Sequence, residues 1–198
     1  MGQYGLSKVI LEHLERIKHY KLLFNHSVSA IKDDKDSKYV TVTATTPDGP
    51  KHYRSEYVVG CDGGRSVVRK LLGVEFEGFT FDEPIIANNV YYDFRKYGWA
   101  GGNFIVDPDH WCLIAQLDDK GLWRVSYGEK PGLTPEEYVD PKRRDAKFQA
   151  VFPGPHPVEY NCVATSMYRM HQRCSSTFRK GRCLLAGDAA RINNPFGG

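Results

Sequence analysis

Two short stretches of the chain each place an aspartate beside a glycine, directly after an apolar run. Residues 60–64 read Gly-Cys-Asp-Gly-Gly, with Asp62 at the centre, and residues 187–190 read Gly-Asp-Ala-Ala, with Asp188 second. A carboxylate in such a turn can accept hydrogen bonds from the hydroxyls of a sugar-like chain, and a glycine lets a ligand approach the backbone. We therefore expect two halves of one ligand site.

The elements around these turns must bring them together. A buried strand at residues 57–59 is predicted before the first turn, and a helix at residues 66–72 after it, with Ser66 as its cap and Arg69 one turn in. A second buried strand is predicted before Asp188. Open α/β sheets bind ligands at the carboxyl ends of their strands. Taken alone, the first turn also fits an ordinary Asp-Gly turn before a helix.

The combined pattern resembles the flavin-dependent aromatic hydroxylase family of the para-hydroxybenzoate hydroxylase type. The resemblance rests on Gly-x-Asp-Gly-x-x-Ser-x-x-Arg at residues 60–69 and on Gly-Asp-Ala-Ala followed by Pro and paired glycines at residues 187–198; Arg191 stands where the family usually has histidine. It implies FAD as cofactor and NAD(P)H as co-substrate. The cofactor-binding residues that it implies are Gln3, Asp62, Gly63, Arg69, Gly187, Asp188, Pro195, Gly197 and Gly198.

The resemblance implies that Asp188 accepts a hydrogen bond from a ribityl hydroxyl. It also implies that Pro195 and the amides of Gly197 and Gly198 approach the isoalloxazine ring. The family also begins with a strand, a Gly-x-Gly-x-x-Gly turn and a helix that holds the FAD pyrophosphate. This sequence contains no such turn and stops at Gly198. We therefore expect a fragment, truncated at both ends, that binds FAD weakly or not at all when isolated. A homo-oligomer or a complementing chain could supply the missing parts.

The predicted fold class is α+β or α/β, a partial FAD-binding domain that lacks the N-terminal Gly-rich βαβ unit and carries an inserted antiparallel β-sheet substrate domain. Residues 1–78 and 172–198 are assigned to the first domain and residues 79–171 to the second. In the first we expect an amphipathic helix with one face on a core at residues 7–18. A β-meander should follow, with strands at residues 21–24, 28–32, 39–46 and 51–59.

The second domain is predicted from its aromatic, β-rich texture. Strands are expected at residues 85–94, 104–106, 111–117, 122–127 and 158–170, with a hairpin turn at 118–121 and short helices at 135–138 and 141–148. In the resembled family this sheet forms the substrate pocket. Four candidate contacts for an aromatic substrate follow, with ordinary strand or core roles as the alternative: Asn88, Tyr91, Gln116 and Arg124.

Composition narrows the function classes. The chain has 198 residues, 41% hydrophobic and 26% charged, with a net charge of +3, which is too small to indicate nucleic-acid binding. No apolar run reaches the roughly 18 residues of a membrane helix. The five cysteines lack Cys-x-x-Cys spacing, so reduced buried thiols are favoured over metal ligands or disulfides. No metal, nucleic acid or membrane partner is predicted, and the predicted location is cytoplasmic.

The sequence therefore predicts part of an FAD-dependent monooxygenase that hydroxylates an aromatic or phenolic small molecule with NAD(P)H and O₂. The alternative is a truncated non-redox homologue that binds small molecules. No Ser-His-Asp order, Gly-x-Ser-x-Gly elbow or carboxylate pair indicates another chemistry. We assign no catalytic acid or base, and whether the chain alone is an enzyme is left open.

Overall fold

The computed structural model describes residues 3–17, 19–34 and 36–194, and of Gln3 the backbone alone. In this part the helices are α1 (Gln3–Leu14), α2 (Val67–Leu71), α3 (Pro135–Tyr138) and α4 (Pro141–Val151). The strands are β1 (Ser27–Asp33), β2 (Val40–Thr46), β3 (Gly49–Ser55), β4 (Val58–Gly60), β5 (Phe76–Tyr91), β6 (Gly102–Ile105), β7 (Cys112–Gln116), β8 (Leu122–Gly128), β9 (Asn161–Ser175), β10 (Arg179–Lys180), β11 (Cys183–Leu185) and β12 (Arg191–Ile192).

The chain divides into two compact units. The first comprises the chain up to Tyr20 and Asp82–Met170, and the second comprises Lys21–Phe81 and the chain from His171 onward. The long strands β5 and β9 each pass from one unit into the other. The sequence-based division put residues 1–20 with the flavin part, whereas α1 falls in the first unit here. Which function each unit serves stays a prediction.

The second unit contains an antiparallel meander, β1-β2-β3, as the sequence predicts. Val40 and Ala44 lie four residues apart on β2, so their side chains point to the same face of the sheet, and both are buried. Burial of one face is the period-2 pattern of a half-buried strand. Pro47 and Asp48 form the β2–β3 turn, and Gly49, the first residue of β3, has φ +100°. The predicted strand at residues 21–24 is wrong, because this segment has no regular structure.

The predicted single strand at residues 51–59 is two strands in two different sheets. β3 ends at Ser55, whose hydroxyl donates to the Tyr57 carbonyl at 2.8 Å, and the chain then starts β4. β4 pairs in parallel with β11, which pairs in turn with β10 in a three-stranded sheet. A run of strand-forming residues does not itself show where the backbone changes partners.

The first unit is built on β5, β8, β7 and β6, which pair in that order as an antiparallel sheet. The predicted hairpin between β7 and β8 is confirmed, with the Leu117 amide donating to the Leu122 carbonyl at 2.8 Å. Helices α3 and α4 are also confirmed. Thr134 and Glu137 form a capping box at the start of α3. α4 contributes Phe148 to the core on one face of the sheet, beside Trp123 and Tyr127.

Two expectations about surface and core are wrong. The predicted core face of α1 is largely uncovered, since Leu6 and Ile10 are 51% and 50% exposed. The cysteines are all free, but only Cys112 and Cys183 are buried, whereas Cys61 and Cys174 are exposed. The apolar neighbours of a residue in the sequence therefore do not determine whether that residue is buried. Within the described residues, every helix is too short or too polar to cross a membrane.

Candidate functional site

The two aspartate-bearing turns meet at one edge of the β4–β11 sheet. The parallel register pairs Gly60, the last residue of β4, with Leu185, the last residue of β11. The Ala186 amide then donates to the Gly60 carbonyl at 2.9 Å. Both strands end here, so the turns that carry Asp62 and Asp188 start side by side. The expected convergence of the two turns is confirmed.

Gly60 makes this arrangement sterically feasible. A Cβ atom at position 60 would lie 2.7 Å from Cγ1 and 2.8 Å from Cβ of Val68, and 3.1 Å from Cδ2 of Leu185. Val68 is the buried residue that α2 turns toward the sheet. The absent side chain therefore lets α2 pack directly on the end of β4, which is the role of a glycine at a close helix–strand contact.

The carboxylate of Asp62 caps helix α2. One oxygen accepts the Ser66 hydroxyl at 2.5 Å, and the other accepts the amides of Val67 and Val68 at 2.7 and 3.0 Å. The Ser66 hydroxyl oxygen also accepts the Arg69 amide at 2.9 Å. Partial burial raises the pKa of Asp62, but the hydrogen bonds from Ser66 and from the backbone outweigh it and hold this pKa below its ordinary value.

Arg69 ties the two turns together. Its side chain is buried, and its guanidinium donates to the Ala189 carbonyl at 2.8 Å and to the Gly64 carbonyl at 2.7 Å. The guanidinium carbon also lies 3.7 Å from the centre of the Phe76 ring. Burial lowers the pKa of Arg69, and the nearby Asp62 charge counters this. Arg69 thus bonds to a carbonyl of the second turn, Ala189, that is 120 positions away in sequence.

The second turn leaves its carboxylate available. Gly187 has φ +59° and starts a 3₁₀ turn over Gly187–Ala189, closed by the Ala190 amide donating to the Gly187 carbonyl at 2.9 Å. Asp188 is exposed and accepts no hydrogen bond from the residues that the structure describes. Its side chain lines a cavity of about 270 Å³ with Gly187, Arg191 and Asn193. The two aspartates thus differ, because Asp62 is engaged and Asp188 is free.

The four predicted substrate residues do not share one face of the first unit's sheet. Asn88 is completely buried on the core face, and its Oδ1 accepts the Thr165 hydroxyl at 2.9 Å. Gln116 pairs across the strands with Trp123, a core residue, and its Oε1 accepts a hydrogen bond from Arg95 at 2.8 Å. Arg124 pairs with Asn89 and lies on the opposite face. Tyr91 and Gln116 both line a cavity of about 380 Å³. Whether any of the four contacts a substrate stays a prediction.

The comparisons with known proteins agree with this geometry. A family model described as "FAD binding domain" matches residues 1–198. The chain belongs to this FAD-binding family of aromatic hydroxylases. It is 41% identical over its full length to para-nitrophenol 4-monooxygenase of Pseudomonas sp. (strain WBC-3), and it covers 48% of that protein. It is 34% identical, again over its full length, to 6-hydroxy-3-succinoylpyridine 3-monooxygenase of Pseudomonas putida, and it covers 49% of that protein.

Solved structures of this hydroxylase family show the same fold. The crystal structure of p-nitrophenol 4-monooxygenase from Pseudomonas putida DLL-E4 superposes with a TM-score of 0.91 at 42% identity, over 100% of this chain and 49% of that one. Aklavinone-11 hydroxylase, solved with FAD and aklavinone, superposes with a TM-score of 0.83 at 25% identity, over 100% of this chain and 38% of that one. The chain therefore spans about half the length of the curated relatives it matches.

The described residues fit part of the FAD expected for this hydroxylase family. Asp188 offers an unpaired carboxylate at a cavity, and Gly63 at φ +79° has no atom within 4 Å of where a Cβ would stand. A polyhydroxylated chain needs such acceptors and such open backbone. Of the other predicted cofactor contacts, the Gln3 side chain, Pro195, Gly197 and Gly198 lie outside the described residues. The direct cofactor contacts of Asp62 and Arg69 stay predictions.

The sequence analysis missed several polar residues on the sheet face opposite the core. Asn89, Ser126 and Tyr168 accompany Arg124 there. Successive residues of a strand point to opposite faces, so Ser126 lies on the same face of β8 as Arg124, two positions earlier. This alternation would have placed Ser126 on that face from the sequence alone. To place Asn89 and Tyr168 on this face, one must know how their strands, β5 and β9, pair with other strands. No local signal in the sequence provides that pairing.

Proposed function

We propose that this chain forms the ribityl-facing turns and the substrate sheet of an FAD-dependent monooxygenase that hydroxylates a phenolic ring. The reaction consumes NAD(P)H, a proton and O₂, places one oxygen atom on the ring and releases the other as water. Family membership and the names of the relatives support this proposal. No finding supports the non-redox alternative.

One structural observation carries the proposal. Two Asp-Gly turns from distant parts of the sequence start from paired residues, Gly60 and Leu185, and Arg69 links them. A parallel strand pair with ligand-binding turns at its carboxyl end is the arrangement that doubly wound folds use for nucleotide cofactors. Two unrelated turns would not need a buried arginine between them.

The residues of the chain divide the work of holding the cofactor. Asp188 accepts a hydrogen bond from a ribityl hydroxyl, and Gly63 and Gly187 leave the backbone open to the ligand. Asp62 fixes the start of α2, and Arg69 fixes the spacing of the two turns, so both act by positioning. When bound, FAD supplies the redox chemistry. No side chain is assigned as a proton donor or acceptor in the reaction.

The second unit is proposed as the flavin part and the first unit as the substrate part, with Tyr91, Gln116 and Arg124 as substrate contacts and the fully buried Asn88 as the least accessible candidate. The free state of all five cysteines suits a reducing compartment, which supports a cytoplasmic location. A homo-oligomer or a complementing chain stays part of the proposal. The aromatic substrate is a small molecule, and 4-nitrophenol is the first one to test, because a relative at 41% identity is named for it.

Flavin binding is the first test. The purified chain is titrated with FAD and, separately, with riboflavin, and binding is followed by quenching of flavin fluorescence. We expect weak binding that Asp188→Ala reduces about tenfold, the typical effect of losing one hydrogen bond to a charged group. Asp119→Ala, an exposed aspartate of the other unit, is the matched control and should bind as the unmodified chain does. Equal affinities for the Asp188→Ala and unmodified chains would contradict the assigned role.

Catalysis is tested with the chain and with added flavin. NAD(P)H oxidation is followed in the presence of 4-nitrophenol and unsubstituted phenol, and products are analysed by mass spectrometry under ¹⁸O₂. Incorporation of one labelled oxygen atom per ring supports the monooxygenase. Stoichiometric flavin binding without any product from either phenol would contradict the proposed activity.

A further inference from the structure

A cavity of about 570 Å³ lies in the first unit, at the ends of β7 and β8 that are remote from their hairpin. The residues that line it come from the β6–β7 loop, the β8–α3 loop, helix α4 and single positions of β5 and β9, all within Asp82–Met170. Its volume is in the range of small-molecule sites, roughly 300–1,000 Å³. None of the four predicted substrate contacts lines it, so the cavity is separate from them.

Hydrogen bonds between different elements hold the walls of this cavity in place. The Lys147 Nζ of α4 donates to the Asp109 carbonyl of the β6–β7 loop at 2.6 Å. Arg143, one turn earlier on α4, donates to the Glu129 carboxylate of the β8–α3 loop at 2.9 Å. The Glu129 amide donates in turn to the Pro84 carbonyl of β5 at 3.1 Å. The cavity is therefore preformed, which lowers the entropic cost of binding a ligand.

The apolar part of the lining is a tryptophan with three smaller side chains. Trp111 is half-buried and lies against the end of β8, where Gly128 makes room for it, since a Cβ at position 128 would overlap the six-membered ring of Trp111. Pro108, Pro131 and Met170 also line the cavity. Tryptophan is the aromatic side chain that attracts an ammonium group most strongly, and it packs well on another ring. This part of the lining suits a ligand with a ring and a nearby ammonium group.

The charged part of the lining carries both signs. Three cations and three carboxylates line the cavity: Lys130, Arg143, Lys147, Glu83, Asp109 and Glu129. Arg143 and Glu129 form an ion pair, and the described residues contain no other ion pair at this cavity. Lys147 is half-buried, yet its ammonium group donates to a neutral carbonyl. Two cations and two carboxylates are thus left without an ion-pair partner in the described part of the chain.

A zwitterion is the ligand that neutralises both signs. An anion alone would be attracted by the lysines and repelled by the carboxylates, and for a cation the signs are reversed. We propose that this cavity binds a small zwitterion with an aromatic ring, of the aromatic α-amino acid class. Lys147 and Lys130 take the carboxylate, Glu83 and Asp109 take the ammonium group, and Trp111 packs on the ring. The inference goes beyond the proposed function and does not rest on it, because it needs neither flavin nor a phenolic substrate.

The test compares three ligands that share one ring. L-tryptophan carries both charges at pH 7, indole-3-propionate lacks the ammonium group, and tryptamine lacks the carboxylate. Each is titrated into the unmodified chain by isothermal titration calorimetry. L-tryptophan should bind about tenfold more tightly than either analogue, the size expected for one additional charge-assisted contact. An excess of 4-nitrophenol should leave the affinity for L-tryptophan unchanged, because the predicted substrate contacts do not line this cavity.

Variants of the cations and of the carboxylates should have opposite selectivities. Lys147→Met removes the ammonium group and should weaken binding of L-tryptophan and indole-3-propionate about tenfold, while tryptamine is unaffected. The double variant Glu83→Gln with Asp109→Asn should weaken L-tryptophan and tryptamine to a similar degree and spare indole-3-propionate. Lys142→Met is the matched control, at an exposed lysine of the same helix that does not line the cavity, and it should bind all three ligands normally.

Circular dichroism checks that each variant is folded. If Lys147→Met is not, Lys130→Met, at an exposed lysine that also lines the cavity, tests the same prediction with a loss of about threefold. Three results would overturn the inference: L-tryptophan binding no more tightly than its analogues, charge variants that bind like the unmodified chain, or displacement of L-tryptophan by 4-nitrophenol. A chain that binds L-tryptophan in this way but neither FAD nor phenols would uphold the inference and contradict only the proposed function.

Discussion

The turns of the second unit and the sheet face of the first unit position their polar side chains in different ways. In the second unit, short motifs fix the backbone, and Asp62, Ser66 and Arg69 bond almost entirely to main-chain groups or to each other. In the first unit, the polar groups are single side chains on strands, and their face depends on register. Substitutions at the motif residues should therefore disturb the backbone of the turns, whereas exposed side chains on the strands can change while the scaffold stays.

Arg69→Met should produce the largest loss of stability and so tests how much the turn region depends on one side chain. It removes two hydrogen bonds and the contact with the Phe76 ring, and it leaves the carbonyls of Ala189 and Gly64 without this donor. We expect the free energy of unfolding to fall by about 3 kcal/mol, measured by urea denaturation. Arg65→Met, an exposed arginine in the same loop, should change it by less than about 0.5 kcal/mol. Equal effects would show that Arg69 is not the tie between the turns.

Gly60→Ala tests the close packing of helix on strand. The added methyl group would meet Val68 at 2.7 Å, so α2 must shift. We expect about 2 kcal/mol of destabilisation from overpacking, together with weaker flavin binding. Gly102→Ala on β6 is the control, because a Cβ there meets nothing within 4 Å. A Gly60→Ala chain as stable as the control would contradict the packing argument.

Asn88→Ala separates the two faces of the sheet. Asn88 is buried and bonded to Thr165 on the core face, so its loss leaves a cavity and removes the acceptor of the Thr165 hydroxyl. We expect about 1.5 kcal/mol of destabilisation in urea denaturation and no change in the affinity for 4-nitrophenol. Arg124→Ala should show the reverse pattern. If Asn88→Ala mainly reduced ligand binding, the prediction of Asn88 as a substrate contact would be supported instead.

Asp62→Asn tests the helix cap through its pH dependence. The pKa of Asp62 is lowered in the folded state, so its carboxylate stabilises the fold above the unfolded-state pKa of about 3.9, and this contribution is lost as the pH falls through the folded pKa. At pH 7 the variant should be about 1 kcal/mol less stable, a typical value for a lost cap. The two unfolding curves should converge in strong acid. Asp188→Asn should cost little stability at either pH, and a constant gap for Asp62→Asn would contradict the cap assignment.

The features that could be predicted from the sequence are those that neighbouring residues determine among themselves. The turns at Asp62 and Asp188, the Ser66 cap and the β7–β8 hairpin are confirmed, because glycines, capping hydroxyls and polar turn residues act within a few positions. The split of residues 51–59 into β3 and β4 was missed, since β4 is defined by its distant partner β11. The face of Asn88 was missed for the same reason, because its partners come from β8 and β9.

The parallel pairing of β4 with β11 has a consequence for the order of folding. The meander β1-β2-β3 joins neighbouring segments and can form early, whereas the β4–β11 pair must close a loop of more than a hundred residues. The two aspartate turns therefore come together late, after most of the chain between them has collapsed. During synthesis the first aspartate turn leaves the ribosome more than a hundred residues before β11, the strand that leads into the second turn.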